Sequence, residues 1–261
     1  MIRSIICDLD RTLLRTDKTI SDYTIQILNV CRTQGILLMG ATARPARAIE
    51  TYHKQVCFDA AVTLNGAALI LPDRTEYIGI DKEQALSIIR RLNQVKDAVI
   101  SLETSKGLYA NVDILEWQPQ VYRDLTKAPL PDEIYKILVS SENEDLRSIL
   151  TNVLPADTYF TIANGTLFQI MNSNATKWNG IQKMLRVFHL DPSDAVYFGD
   201  DQDDIEPIRC CGIGVAMKNA IQAVVEAADC VTDSNDEDGV AVYLSSHILQ
   251  QKEDRNEQDQ L

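Results

Sequence analysis

The sequence predicts an α/β protein, with a parallel-sheet core built from both ends of the chain and an α+β domain inserted between them. Three observations carry this. Short apolar runs ending in polar or acidic residues alternate with helical periodicity near the N-terminus, and the same pattern returns from residue 176. The stretch between changes to paired short runs separated by turn residues, the mark of hairpins. The 261 residues also exceed what one typical domain of roughly 100–200 residues contains.

Residues 2–7 are apolar and are followed by Asp8 and Asp10, as in a buried strand with polar groups at its C-terminal end. Ser21 is placed to cap a helix in which Ile25, Leu28 and Cys31 recur, and Gly35 stops it. Residues 36–39 form a second strand, ending at Thr42. Pro45 opens a helix of about ten residues, because proline suits a first helical turn. Residues 60–64 form a third strand, closed by Asn65 and Gly66. In a parallel sheet the working residues lie at the C-terminal strand ends, so Asp8, Asp10, Thr42 and Asn65 share one edge.

Residues 69–80, with Pro72 and Asp73, read as a hairpin, followed by a helix over 81–95. Residues 99–103 and 108–112 pair as a second hairpin, and Pro119, Pro129 and Pro131 mark an irregular crossing. A strand at 134–140, a helix at 143–154 and a hairpin at 159–171 turning at Asn164-Gly165 complete the insert. The parallel pattern resumes with a helix over 176–190 and a strand at 195–198 that runs into Gly199, Asp200, Asp201, Gln202, Asp203 and Asp204. A strand at 213–217, a helix at 219–228, a strand at 231–233 and a helix from Gly239 follow; the residues from Gln250 form a polar tail. The predicted boundaries are 1–78 with 176–261 for the core and 79–175 for the insert.

The net charge of −13 disfavours nucleic acid as a partner. It also means that a phosphate-handling site must carry its own local positive charge. No apolar run approaches the roughly 18 residues of a membrane span, and no signal peptide is evident, so a cytoplasmic protein is expected. The six cysteines show no paired spacing and are expected to be reduced and mostly buried. His53, His189 and His247 lack metal-ligand spacing. Trp117 and Tyr122 of the insert are expected to pack, with a substrate contact as the less favoured role. Oligomeric state is not legible.

Asp8 and Asp10 at a strand end, and the acids of 200–204 at another, repel one another unless a cation joins them. A hard divalent ion with oxygen ligands, Mg²⁺, fits that requirement. Lys177 opens a helix, near backbone donors that attract phosphate. Thr42 and Arg44 bring a hydroxyl and a guanidinium to a strand-to-helix junction. Taken singly, each has a plainer reading: a solvated turn, an acidic helix start, a surface lysine, a helix cap. Their placement at junctions of one sheet points to phosphoryl chemistry.

The segments DLDRTLL (from Asp8), ATARP (from Ala41), TLNGA (from Thr63), Lys177, GDDQDD (from Gly199), GVAMKNA and ADCVTDSNDEDGVA resemble, in order and spacing, the motifs of the haloacid dehalogenase superfamily of aspartyl phosphatases. More narrowly the chain resembles the Cof-type sugar-phosphatase branch, of subclass IIB type, with a Rossmann-like core and a large α/β cap after the third core strand. The resemblance implies Mg-dependent hydrolysis of small phosphorylated metabolites such as sugar phosphates through an aspartyl phosphate. Asp8 is then the nucleophile and Asp10 the acid and base, expected to have a raised pKa. Mg²⁺ is held by Asp8, the Asp10 carbonyl and Asp200, with Asp204 in support. Leu9, Thr42, Ala43, Lys177 and Asp203 surround the phosphoryl group, and Arg44 and Asn65 lie near the substrate.

Two alternatives share these residues: a phosphomutase, and a non-catalytic member that binds a phosphorylated effector. Three positions depart from the family pattern. Arg11 and Trp178 stand where glycine is usual, and Asp203 where asparagine is usual. Arg11 either strains the backbone or adds a cation at the site mouth, and Trp178 is expected to narrow the entrance. The cap is expected to open and close over the substrate.

Overall fold

The computed structural model describes residues 2–163 and 165–250. The chain divides into two compact units, one of Met1–Glu76 with Lys177–Leu261 and one of Tyr77–Thr176.

The first unit begins with β1 (Ser4–Cys7), α1 (Asp22–Thr33), β2 (Leu37–Ala41), α2 (Ala46–Val56), β3 (Ala60–Thr63), β4 (Ala68–Ile70) and β5 (Thr75–Tyr77). Ser21 caps α1 by accepting the Thr24 N–H, and Gly35 takes the positive φ of 77° that ends that helix's last turn.

The second unit holds β6 (Ile80–Asp81), α3 (Lys82–Leu92), β7 (Val99–Thr104), β8 (Gly107–Ala110), β9 (Gln120–Val121), β10 (Glu133–Ser140), α4 (Leu146–Val153), β11 (Thr158–Ala163) and β12 (Leu167–Asn172). Its sheet runs β11-β12-β10-β7-β8-β9, with β6 beside β10. The buried side of α3, Ala85, Ile88, Ile89 and Leu92, packs on Ile100, Ile134 and Ile170 of the sheet. The short strand β9 forms within the proline-rich crossing, where only loop was expected. The turn expected at Asn164-Gly165 falls in part on Asn164, which lies outside the described residues, as does the tail beyond Gln250.

The first unit then resumes with α5 (Lys177–Val187), β13 (Ala195–Gly199), α6 (Ile205–Cys210), β14 (Ile213–Met217), α7 (Gln222–Val225), β15 (Cys230–Thr232) and α8 (Gly239–Tyr243). Its sheet has the order β15-β14-β13-β1-β2-β3-β4-β5, parallel from β15 to β3 and antiparallel between β3 and β4. Side-chain alternation covers both faces. Ile5, Cys7, Leu38, Val196 and Phe198 join one cluster with residues of α1, α2 and α8. Ile6, Met39, Tyr197 and Ala216 join another with Ile181 and Met184 of α5. β1 is central, with Cys7 in register with Gly40 of β2 and Phe198 of β13, so Asp8, Thr42 and Asp200 emerge side by side.

Several expectations are corrected. The helix expected over 219–228 shrinks to the four residues of α7. Asn219 and Ile221 are taken up elsewhere: the Asn219 side chain binds Arg11, and the Ile221 N–H donates to the Asp200 carbonyl. The helix expected from residue 143 starts at Leu146, because Ser141 and Asn143 side chains accept the N–H groups that would begin it. Trp178 does not narrow an entrance; it is buried in the α5 cluster beneath the sheet. Of the cysteines, all free, Cys57 and Cys210 are exposed.

The loop after β1 is tied to the chain's far end. Arg15 grips Asp238 through two hydrogen bonds of 2.6 and 3.1 Å, and Thr16 donates twice to Asp236. Partial burial pushes the Asp238 carboxyl up, but the Arg15 and Ser21 hydrogen bonds outweigh it and hold the group below its ordinary range. A depressed carboxylate stabilises above its unfolded pKa of about 4 and loses that contribution as pH falls. Asp238→Asn keeps a residue that tolerates the φ of 58°. It is expected to cost about 1 kcal/mol at neutral pH, after allowance for exposure of the pair. Urea unfolding at pH 7 and pH 3 checks this, since the difference between the two proteins should narrow at the lower pH, vanishing only once pH falls through the depressed folded pKa.

Candidate active site

Every sequence-predicted site residue lies in the first unit. Asp8 follows the last residue of the central strand and is buried. Its Oδ1 accepts from Lys177 Nζ at 2.9 Å. The same ammonium donates to Asp204 Oδ1 at 2.6 Å. Lys177 is brought there by the start of α5, whose apolar side is anchored under the sheet.

Asp204 is fully buried and saturated with donors. Besides Lys177 it accepts from Tyr197 Oη at 2.6 Å and from the N–H groups of Asp200 and Asp201 at 2.9 and 3.1 Å. It therefore fixes the turn that presents Asp200. Gly199 makes this possible: a Cβ there would lie 2.5 Å from the Asp204 side chain. Gly199→Ala is expected to displace Asp204 and cost about 1–3 kcal/mol. An unchanged urea midpoint would contradict this account.

Carboxylate oxygens of Asp8, Asp200 and Asp204 lie within 4.8 Å of one another, a group that can hold a metal ion. Burial, then repulsion from Asp204, pushes the Asp200 carboxyl up to about 7. Burial also raises Asp8, with Lys177 opposing and the two other acids reinforcing. Burial works against the charge on Lys177, but Asp204 and Asp8 outweigh it and keep the ammonium charged. Three buried carboxylates face one buried ammonium, so the charge is unbalanced by acids, and the donor set is all oxygen. That is what a hard divalent ion requires.

Asp10 is a separate matter. The chain turns after Asp8: Thr12 N–H reaches the Leu9 carbonyl, and Arg11 has φ 62°. Strand alternation therefore ends at Asp8, and the Asp10 side chain is held by other partners. Arg44 donates to it from Nε and Nη2 at 2.6 and 2.7 Å, and Lys18 Nζ donates at 2.7 Å. Burial pushes the carboxyl up, but these two cations outweigh it and bring it down to about 2. The expectation of a raised pKa is overturned, because two neighbouring cations stabilise the anion.

Thr42, at the end of β2, is buried, and its Oγ1 accepts the Arg44 N–H at 3.2 Å. Leu9 buries its side chain in the core, and Ala43 is half-buried. Asn65 is buried with φ 57° and donates from Nδ2 to Asp203 Oδ2, which ties the end of β3 to the acidic turn. Arg11 does adopt a left-handed conformation, and it also places a cation beside Asp200, so both readings of that departure hold. Lys18, Thr12 and Tyr197 were missed. Thr12 Oγ1 donates to Asp200 Oδ1 at 3.2 Å, and Tyr197 is recoverable as an inward position of an apolar strand. Nothing in the spacing announces Lys18.

The haloacid dehalogenase-like hydrolase family model matches residues 5–244. A putative phosphatase of Bacillus subtilis, YxeH, is 27% identical, with 95% of this chain and 99% of the relative covered. The 5-amino-6-(5-phospho-D-ribitylamino)uracil phosphatase YitU of the same organism is also 27% identical, over 94% and 97%. The solved structure of the subclass IIB sugar phosphatase BT4131 superposes with a TM-score of 0.79 at 20% identity, over 93% and 98% of the two chains. Among the described residues, no helix is long and apolar enough to cross a membrane. The chain belongs to the haloacid dehalogenase-like hydrolase family, as a Cof-type phosphatase.

Proposed function

We propose that this phosphatase hydrolyses small phosphate monoesters of metabolites, sugar phosphates among them, with Asp8 as the nucleophile. The observation that carries the reading is Asp8 itself: a buried carboxylate at the end of the central strand, 2.9 Å from Lys177 Nζ and within 4.8 Å of acids from the β13 edge. Asp8, Asp200 and Asp204, with the Asp10 carbonyl, are the groups to hold Mg²⁺. When bound, the ion neutralises phosphoryl oxygens and lets one anion approach another.

The chain's own residues supply the rest. An Asp8 oxygen attacks phosphorus, the ester P–O bond breaks, and the leaving oxygen takes a proton from Asp10. Water then attacks the aspartyl phosphate, releasing inorganic phosphate and restoring Asp8. Lys177, Thr42 and the N–H groups of Leu9 and Ala43 hold the transferring group, with Asp203 at its edge. Arg44 and Asn65 face the remainder of the substrate. Asp10 rests as an anion, the state that activates water. To donate a proton it must first lose Arg44 and Lys18, which an incoming phosphate attracts, and take up a proton from solvent; the attacking water later returns one to it. The unit Tyr77–Thr176 is proposed as the specificity domain.

The test is release of inorganic phosphate from a panel of phosphorylated sugars, polyols and nucleotide precursors, with Mg²⁺ and with EDTA. Release that EDTA abolishes supports the reading; no release from any member of the panel rejects it.

A further inference from the structure

We propose that Arg11 is an internal counter-ion of the acid cluster, which a divalent cation must displace from Asp200 in order to bind, so that this residue sets the protein's metal affinity. The inference rests on the reading of Asp8, Asp200 and Asp204 as the metal site.

Arg11 Nε lies 3.6 Å from Asp200 Oδ2, the guanidinium being largely exposed and the carboxylate almost wholly buried. The other Asp200 oxygen is engaged by Thr12 Oγ1 at 3.2 Å. Arg11 therefore sits at the Asp200 oxygen that Thr12 does not engage.

This is no loose surface arginine. Its Nη2 donates to the Asn219 carbonyl at 3.0 Å, and the Asn219 side chain returns a hydrogen bond to the Arg11 carbonyl at 2.8 Å. Asn219 is held in turn, its Oδ1 accepting the Asn235 N–H at 3.0 Å, while Asn235 Nδ2 donates to the Leu14 carbonyl at 3.0 Å. Both ends of the residue are thus fixed by the chain's C-terminal third. The backbone at φ 62° lies in the left-handed region, which arginine adopts only at a conformational cost, so the side chain is kept against that cost.

A guanidinium stays charged at every working pH. It compensates part of the acid cluster's repulsion in the metal-free protein and repels a divalent ion that approaches the same carboxylate. At a separation of about 4–5 Å, with the water-like screening its exposure implies, that repulsion corresponds to roughly tenfold in a metal-binding constant.

The experiment is calorimetric titration of Mg²⁺ and Mn²⁺ into the metal-free full chain. It compares wild type, Arg11→Met, Arg11→Lys, Arg11→Gly and Asp200→Asn. Arg11→Met removes charge but keeps length and backbone strain, and it should bind either ion about tenfold more tightly. Arg11→Lys should resemble wild type, and Arg11→Gly should resemble Arg11→Met. The advantage of Arg11→Met should shrink as salt shortens the screening length toward about 3 Å at 1 M. Thermal unfolding gives a second readout: Arg11→Met should be less stable than wild type with chelator and gain more from saturating Mg²⁺. Affinity within twofold of wild type, or weaker, for Arg11→Met overturns the inference while leaving the metal site intact, provided Asp200→Asn abolishes binding. No binding by wild type removes the site reading itself, and this inference with it.

Discussion

Asp8→Asn should abolish phosphate release, by about 10⁴-fold or more, while leaving a folded protein that is as stable as wild type or more so. The loss follows from chemistry: an amide cannot attack phosphorus and regenerate, and losing a nucleophile generally costs several orders of magnitude. The stability follows from the surroundings. Asparagine fills the same volume and can still accept from Lys177 Nζ, which sits 2.9 Å from the present carboxylate. The substitution also removes one of three like charges whose oxygens lie within 4.8 Å. In chelator the variant should gain about 1–2 kcal/mol, since burial and repulsion both disfavour the native anion. Phosphate release and urea unfolding with EDTA, on one preparation of each protein, check both halves. An inactive variant that is also several kcal/mol less stable would show that Asp8 holds the fold together and would leave its chemical role unsupported.

Lys177→Met should be the more damaging change to the fold. The ammonium is buried and bridges Asp8 and Asp204, so its removal leaves two buried carboxylates without a counter-charge. Breaking a buried pair in this way costs about 3–5 kcal/mol. Tyr197 and the N–H groups of Asp200 and Asp201 remain as donors to Asp204, whereas Asp8 loses its hydrogen-bonded cation. Activity should fall with stability, and saturating Mg²⁺ should restore stability better than it restores turnover, because an ion can balance charge without replacing the lysine's hold on phosphate. A urea midpoint close to that of wild type would refute the electrostatic account of this site.

The parts that could be read from sequence were those where an apolar run met a polar end. β1, β2, β3 and β13 each announced themselves in this way, and parallel topology then placed Asp8, Thr42, Asn65 and Asp200 on one edge. The pairing of Lys177 with both Asp8 and Asp204 depended on a helix start 169 positions from Asp8, and its role came through resemblance. What stayed hidden lay in turns. The reversal at Leu9–Thr12 breaks strand alternation, so Asp10 leaves the cluster for Arg44 and Lys18, and its pKa moves opposite to the expected direction. Asn219 read as helical until its side chain was found bound to the Arg11 carbonyl. Trp178 looked like a gatekeeper because it follows Lys177, yet one step along a helix turns a side chain by about 100°, here into the core.

Because β1 pairs on one side with β2 and on the other with β13, the sheet's middle joins segments separated by about 190 residues of chain. On the ribosome, Ser4–Cys7 must wait about 190 residues, roughly 10–40 s at ordinary elongation rates, for the partner that covers its second edge. Tyr77–Thr176, contiguous in the chain, has its own apolar core and emerges complete before that partner does. Until Ala195 is made, a nascent molecule therefore carries an unprotected, highly apolar strand margin, a template for misassociation between neighbouring polysomal chains. Truncated products ending before Ala195 should accordingly require chaperone capture to remain in solution.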